Sequence, residues 1–471
     1  MKIFYNSFTT KSSQGGALYF YSEISRLLST WGEDAIECHP LDFSSRACRD
    51  PGELVRLFAK LGPDDVVVCN AGPYGHLYHY LRELAGSRFR IIRDVRTSSW
   101  GGFLLQEALA APLSRPGDLV LFPSEFCRAY FMKFFPQGLT RYNTAVCYPL
   151  MDSFPAAVAR HPEPGFNVGY IGRMSGDKNF SKVLEIFEGI HRHRSDARLH
   201  LAGPMDKRSK YGSLERIVSR LQQSGVPADR VSYAGQLPYE KIWPFFAKLD
   251  LFVFPAMSSV ESLGRVLLEA RHANVPVISV DYAAAGEIVP PSHLVAPVFN
   301  TSEEFDGNKP FSFGSIDVEL SVQAALRSAP AYQPDIDAPY QSDTFYGLVR
   351  GERAPGEPKA LSHGTRHFLD HLSLRGARLD HDHASAMKAC RTLLSFYGAY
   401  NHASPWRRTW HLMGALHRVI HAPESPALRL DRLLNGHAAF ELRHAREFCR
   451  TLDFHPVFKM MEAAVPTAQA A

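Results

Sequence analysis

Short apolar runs alternate with amphipathic stretches over about the first 150 residues, and this alternation constrains the fold more than any other feature of the sequence. The apolar runs are KIFYNS, DDVVVC, FRIIRDV, DLVLFPS and AVCYPL. Between the first two, GGALYFYSEISRLLSTW has the apolar spacing of an amphipathic helix. Such alternation is typical of β-α units that build a parallel sheet.

The alternating pattern stops at residues 151–165 and begins again after them. This segment, MDSFPAAVARHPEPG, has three prolines and a glycine without a clear period, so it is predicted to be a linker. The second cycle comprises NVGYIGR, KNFSKVLEIFEGIHRH, ARLHLAG, RVSYAG, LFVFPA and VPVISV. We therefore predict an α/β protein with two doubly wound, Rossmann-like domains, residues 1–150 and 166–300, that face a cleft.

The remaining third of the 471-residue chain has a different pattern. Residues 301–364 are rich in Pro, Ser, Asp and Gly and are predicted to be an irregular insertion or linker. Residues 365–471 are predicted to be a mainly helical C-terminal extension. Within it, RLDHDHASAMKAC favours a charged helix start over a metal site, and PWRRTWHLMGALHRVIH favours a helix packed on the body over one lying on a membrane.

Composition and charge exclude several classes of protein. A net charge of +4 on a chain of this length implies no nucleic-acid partner. The N-terminus MKIFYNSFTT lacks a signal-peptide pattern, and no apolar run is long enough to span a bilayer. The seven cysteines show no CxxC spacing, which argues against a zinc site or a disulfide framework. We expect a cytoplasmic protein with at most peripheral contact at the inner face of a membrane.

Candidate ligand-binding residues follow the predicted strands, where open α/β sheets bind ligands. Gly15 and Gly16 lie between the first strand and the first helix, where main-chain amides can approach an anion, although a plain turn is the alternative. Arg173 and Lys178 flank a glycine-containing turn in YIGRMSGDKNF, beside a predicted helix start. Two cations at this place can bind a diphosphate.

Two glutamates lie eight positions apart in VESLGRVLLEARHANVPV. Glu261 directly follows the strand LFVFPA and its loop, and Gly264 lets a ligand approach the turn. Glu269 lies two helical turns further on in an apolar context, where a solvated glutamate is less expected. Carboxylates accept well from paired hydroxyls such as those of a ribose or a hexose.

These motifs together resemble a retaining GT-B glycosyltransferase of family 4, in the group 1 class. The resemblance rests on GRMSGDKN, LHLAG, VSYAGQLPYEKIWPFFAKLDLFVFPA and ESLGRVLLEARHANVPVIS, and is strongest over residues 167–290. It implies a donor domain at residues 166–300 and an acceptor domain at residues 1–150. It also implies a nucleotide diphosphate sugar as co-substrate, no other cofactor, no metal ion, and a glycan or glycolipid as acceptor.

The resemblance also implies individual roles. Glu269 would bind the ribose, and Glu261 with Ser262, Leu263 and Gly264 would hold the donor sugar. Arg173 and Lys178, helped by the amides near Gly15 and Gly16, would bind the diphosphate, and Glu261, Lys178 and Arg173 would form the catalytic set.

One segment departs from the family. Family members often carry a histidine after the fourth strand, whereas this chain has IIRDVRTSSW, with Asp94 and Arg96 in that region as candidate sugar or acceptor contacts. The alternative functions are another GT-B enzyme, such as a phosphorylase or a sugar-nucleotide epimerase, and a catalytically silent module that binds nucleotide sugars. The nucleotide base, the sugar and the acceptor stay open at this point.

Overall fold

The structure is a computed structural model. It describes residues 1–7, 16–33, 35–41, 51–70, 75–98, 101–206, 210–300, 312–327, 338–371, and 382–391 apart from 385, 388 and 389. Side chains are not described at 16–21, 51, 101, 102, 104, 105 and 371. Gly15 and the predicted helix around Trp406 lie outside the described residues.

The N-terminal domain is a doubly wound sheet of six parallel strands in the order β2-β1-β3-β4-β5-β6. The strands are β1 (Lys2–Asn6), β2 (Glu37–Leu41), β3 (Val66–Cys69), β4 (Arg90–Asp94), β5 (Leu119–Phe122) and β6 (Thr144–Val146). The helices are α1 (Gly16–Ser29), α2 (Pro51–Phe58), α3 (Gly75–Ala85), α4 (Gly101–Ala110) and α5 (Glu125–Phe134).

The second domain repeats this architecture with six parallel strands in the order β12-β11-β10-β7-β8-β9. The strands are β7 (Phe166–Ile171), β8 (Ala197–Ala202), β9 (Val231–Tyr233), β10 (Leu251–Phe254), β11 (Val277–Val280) and β12 (Leu294–Val295). The helices are α6 (Phe180–His193), α7 (Leu214–Gln223), α8 (Tyr239–Ala247), α9 (Arg265–His272) and α10 (Ala285–Ile288).

Burial explains why the apolar runs form the central strands. All residues of β3, β5, β10 and β11 are buried, because helices cover both faces of a parallel sheet and exclude water from both sides of each strand. The predicted α/β fold class with two doubly wound sheets is therefore confirmed.

The chain returns to the N-terminal domain after the second sheet, and residues 301–364 differ from the predicted irregular segment. Their described part contains the strand β14 (Gly314–Ile316), which pairs with β13 (Pro297–Phe299), and the helices α11 (Val318–Arg327) and α12 (Ser342–Arg350). The carbonyl oxygens of Pro339 and Tyr340 accept from the amides of Tyr148 and Leu150, both at 2.9 Å. Both helices are short and follow segments rich in proline, glycine or aspartate. Their helical periodicity was therefore not recognised in the sequence.

The helix α13 (His363–His371) begins the region that was predicted to be a helical extension. Its Phe368 ring lies 6.2 Å from Phe126 of the N-terminal domain, and 5.1 Å from Tyr282 and 4.8 Å from Phe313 of the second domain. This helix therefore packs against both domains instead of standing apart from them. Within the described ranges, no helix is long and apolar enough to cross a membrane.

Candidate functional site

The candidate site lies where the strand order of the second sheet reverses. The chain runs outward from β7 through β8 to β9 on one side, and from β10 through β11 to β12 on the other. The crevice beyond the carboxyl ends of β7 and β10 is therefore a topological switch point, where α/β sheets bind ligands. A cleft of about 600 Å³ opens there, and its lining includes Arg173, Lys178, Tyr239, Glu261, Arg265 and Glu269.

Arg173 follows β7 and is oriented by a buried carboxylate. Its Nη2 lies 2.9 Å from Oδ2 of Asp177. Asp177 also accepts from the hydroxyls of Ser175 at 2.6 Å and Ser258 at 3.0 Å, which fixes its position. The side chain of Arg173 is 42% exposed, so the buried acid holds a cation whose side chain remains accessible.

Lys178 and Glu261 form an ion pair within the same cleft. The Nζ atom of Lys178 lies 2.5 Å from Oε2 of Glu261, and the other carboxylate oxygen accepts from the amide of Gly264 at 2.8 Å. Lys178 ends a short 3₁₀ turn, and α6 begins two residues later at Phe180. The predicted cation therefore does lie beside a helix N-terminus.

The turn after Glu261 requires glycine at position 264. Gly264 has φ = +68° and precedes α9, and a Cβ there would lie 3.0 Å from Leu267 and 3.2 Å from Phe254. A left-handed backbone in tight surroundings disfavours any other residue. Ser262 and Leu263 are buried inside this turn, with 8% and 4% of their surface exposed.

Glu269 lies on α9 and faces the cleft from the side, as the sequence predicted. Its Oε1 is 2.7 Å from Nε of Arg265, one helical turn earlier, and this guanidinium also lies 4.6 Å from the ring of Tyr239. Burial raises the pKa of Glu269, and the charge of Arg265 opposes that rise. A buried carboxylate with one cationic partner can still accept from a ligand hydroxyl.

Asp94 and Arg96 lie at the end of β4 and form a buried ion pair. Burial raises the pKa of Asp94 to about 6, against the opposing charge of Arg96. Arg96 reaches the Glu261 turn through its main-chain carbonyl, which accepts from the hydroxyl of Ser262. A direct sugar or acceptor contact by either side chain stays a prediction.

The glycine pair near the N-terminus is only partly described. Gly16 is the first residue of α1, in agreement with its predicted place at a helix start, whereas Gly15 lies outside the described residues. Their role toward a diphosphate stays a prediction.

Sequence reasoning missed several residues that shape the site. Arg265 and Tyr239 flank Glu269, and Asp177 orients Arg173. The spacing of Arg265 and Glu269 at i and i+4 was a usable signal. Ser98 and Ser124 of the N-terminal domain also contact the Glu261 turn, but their distance along the chain left no local signal.

The arrangement combines two kinds of group in one cleft. Two cations near a helix start can balance the charge of a diphosphate, and the two carboxylates that line the same cleft can accept from hydroxyls. A ligand that carries both a diphosphate and hydroxyl groups fits this set of side chains.

Comparisons with known proteins bear on the family and on the fold. Residues 156–303 match the family model of group 1 glycosyl transferases. An apo structure of the lipopolysaccharide outer core galactosyltransferase WaaB is 17% identical, covers 75% of this chain and 100% of that chain, and has a TM-score of 0.50. A glycosyltransferase from Rickettsia africae is 12% identical, covers 74% of this chain and 96% of that chain, and has a TM-score of 0.52. No curated protein matches the chain.

The two solved structures show the fold alone, which is the two-domain GT-B fold of glycosyltransferases. The match to group 1 glycosyl transferases falls on the second of these domains. This domain carries all the described residues that line the cleft.

Proposed function

We propose that the protein is a retaining, metal-independent glycosyltransferase of family 4, which moves a sugar from a nucleotide diphosphate sugar to an acceptor hydroxyl. The observation that carries this proposal is that Arg173, Lys178, Glu261 and Glu269 line one cleft at the switch point of the second sheet. The match of residues 156–303 to group 1 glycosyl transferases supports it.

The donor would lie along the cleft with its diphosphate near Arg173 and Lys178. Glu269 would accept from the ribose hydroxyls, and Glu261 would accept from hydroxyls of the transferred sugar. The ion pair between Lys178 and Glu261 would place the cation beside the bond that breaks. Charge grows on the leaving diphosphate as this bond breaks, so a cation there stabilises the transition state more than the ground state.

In the proposed reaction the bond from the anomeric carbon to the diphosphate oxygen breaks, and a bond to the acceptor oxygen forms on the same face of the sugar. The departing phosphate oxygen takes the acceptor's proton. This route needs no side-chain base. The acceptor would be a hydroxyl of a surface polysaccharide or a glycolipid, reached from the side of the N-terminal domain, in the cytoplasm or at the inner face of the membrane.

The proposal is tested by turnover across UDP, GDP, ADP and TDP sugars. We expect one nucleotide to raise the melting temperature, and its sugar nucleotide to be slowly hydrolysed, with release of a sugar whose anomeric configuration is retained in early NMR spectra. Activity should persist in excess EDTA. Nucleotide binding without hydrolysis or transfer would favour a silent binding module, and phosphate-dependent cleavage of a glycan would favour a phosphorylase.

A further inference from the structure

Asn179 joins Lys178 of the candidate site to the helix α6. The 3₁₀ turn Gly176–Lys178 ends directly before Asn179, and α6 begins directly after it at Phe180. The backbone of Asn179 has φ = +53° and ψ = +38°. This is the left-handed conformation, which glycine adopts without strain and which asparagine tolerates better than most other residues. The direction of the chain after Lys178 therefore depends on the residue at position 179.

The side chain of Asn179 does not cap the helix that follows it. An asparagine before a helix commonly accepts from an amide of the first turn, but the described chain shows no such bond at this position. Instead, Nδ2 of Asn179 donates to the carbonyl oxygens of Pro255 at 3.0 Å and Gly314 at 2.8 Å. The amide nitrogen has two hydrogens, so each carbonyl receives one. The side chain is buried, with 9% of the residue exposed.

The two carbonyl groups belong to different segments of the second domain. Pro255 directly follows β10 and begins the loop that leads to Glu261, and Gly314 begins β14. These acceptors are 76 and 135 positions from Asn179 along the chain. One amide group thus fastens the end of the Lys178 turn to the loop that carries Glu261.

The residue on the other side of Lys178 contacts the same loop. Asp177 accepts from the hydroxyl of Ser258 at 3.0 Å, and the carbonyl oxygen of Ser258 accepts from the hydroxyl of Tyr282 at 3.2 Å. Lys178 is therefore flanked by two residues whose side chains both bind the segment between β10 and Glu261. The lysine side chain itself is 20% exposed, and its Nζ reaches Glu261 at the end of that segment.

We propose that Asn179 is a positioning residue that places Lys178 relative to Glu261 and to an anionic ligand in the cleft. Asn179 acts through Lys178, because Lys178 lines the cleft and Asn179 does not. The inference rests on the proposed function for the identity of the ligand, a nucleoside diphosphate. Asparagine meets both requirements of the position, a left-handed backbone and two donors for two carbonyl groups. Glycine meets only the first, because it has no side-chain donor.

Asn179→Gly separates these two requirements in the full chain. We expect the Kd of the preferred nucleoside diphosphate, measured by calorimetry, to rise on the order of fivefold, because Lys178 is no longer held in place. Asn179→Ser keeps one donor and should raise the Kd by a smaller factor. The matched control is Asn274→Gly, since Asn274 also has a left-handed backbone at φ = +54° and does not line the cleft. This control should leave the Kd unchanged.

A double-mutant cycle distinguishes positioning of Lys178 from a general structural effect. In the Lys178→Ala background, Asn179→Gly should change the Kd by less than about twofold, because the side chain that it positions is absent. An equal loss of affinity in both backgrounds would overturn the proposal, and so would an unchanged Kd in folded Asn179→Gly. If the glycine variant does not fold, Asn179→Ser takes its place in the same cycle.

Crystal structures of the wild type and the variant keep this inference separate from the proposed function. The distance from Nζ of Lys178 to Oε2 of Glu261 is 2.5 Å, and it should exceed the ion-pair limit of about 4 Å in Asn179→Gly. If the wild type binds a nucleoside diphosphate but transfers no sugar, the proposed function fails and the affinity cycle still decides the role of Asn179. If it binds no nucleoside diphosphate, an unchanged ion pair in the variant overturns the inference by itself.

Discussion

The Nζ atom of Lys178 lies 2.5 Å from Oε2 of Glu261, although 83 positions separate the two residues along the chain. This pair joins the start of α6 to the turn after β10, across the switch point of the second sheet. A cation proposed for the diphosphate and a carboxylate proposed for the sugar are thus adjacent in one cleft. Each of these two side chains can be removed by a separate substitution.

Lys178→Ala is expected to weaken binding of the free nucleoside diphosphate by about 1–3 kcal/mol, because a charge-assisted contact to phosphate is lost. Calorimetry measures this directly. The matched control is Lys182→Ala on α6, whose Nζ lies 2.6 Å from Glu185 and which does not line the cleft. Equal affinities for the wild type and both variants would remove Lys178 from the site.

The two glutamates are expected to separate nucleotide binding from transfer. Glu269→Gln should weaken binding of both the free nucleotide and the sugar nucleotide, because Glu269 is assigned to the ribose. Glu261→Gln should leave free nucleotide affinity nearly intact and lower kcat, because its proposed contact is to the sugar. Calorimetry and steady-state kinetics on both variants test this division. It fails if the two changes affect free nucleotide affinity equally.

Gly264→Ala is expected to destabilise the protein by about 1–2 kcal/mol and also to impair transfer, because a Cβ at φ = +68° meets Leu267 and Phe254 and disturbs the turn that holds Glu261. The control is Gly225→Ala, at φ = +84° with nothing within 4 Å of the added carbon. Thermal unfolding should shift in both variants, whereas kcat should fall only in Gly264→Ala. A fall of kcat in both would point to a general effect.

Phe368→Ala is expected to lower the free energy of unfolding by about 3–5 kcal/mol, because its ring is buried between aromatic rings of both domains. Denaturant titration measures the loss, and Phe368→Leu should recover much of it. A loss below about 1 kcal/mol would mean that α13 does not stabilise the body. A truncation near Gly364 would remove the same contact and expose apolar surface.

Glu287 is expected to make stability depend on pH. Burial, together with the charge of Glu125, raises the pKa of its carboxyl to about 7, although hydrogen bonds from two main-chain amides and the charge of Lys359 oppose the rise. The folded protein therefore binds this proton more tightly than the unfolded chain does. The resulting contribution to the free energy of unfolding is complete below the unfolded pKa of about 4.5 and is lost as pH rises to about 7.

Glu287→Gln removes this titration. The free energy of unfolding of the wild type, relative to the variant, should fall by on the order of 1–3 kcal/mol between about pH 5 and pH 8. Parallel denaturant titrations at several pH values measure it. The control is Glu319→Gln, an exposed position on α11, for which no such difference is expected. A pH-independent difference for Glu287→Gln would contradict the assignment.

The sequence by itself determined the parts of the structure that depend on local patterns. The apolar runs predicted the central strands because a parallel strand covered on both faces needs an unbroken apolar run. The sequence also singled out Arg173, Lys178, Glu261 and Glu269 as candidate site residues, because ligand-binding residues follow strands in α/β sheets, and the structure places all four in the lining of one cleft. By contrast, β2 was missed. Its sequence ECHPL contains a proline, which is tolerated because β2 lies at the edge of the sheet.

Only the tertiary structure decided which distant groups meet. The hydroxyl of Ser124 and the carbonyl of Ser262 are 138 positions apart, and the carboxylate of Glu287 and the amide of Glu125 are 162 apart. A buried hydroxyl and a helix N-terminus each require a partner, but the requirement does not name one. The packing of two separately formed sheets supplies these partners, and no local period in the sequence records how the sheets are placed.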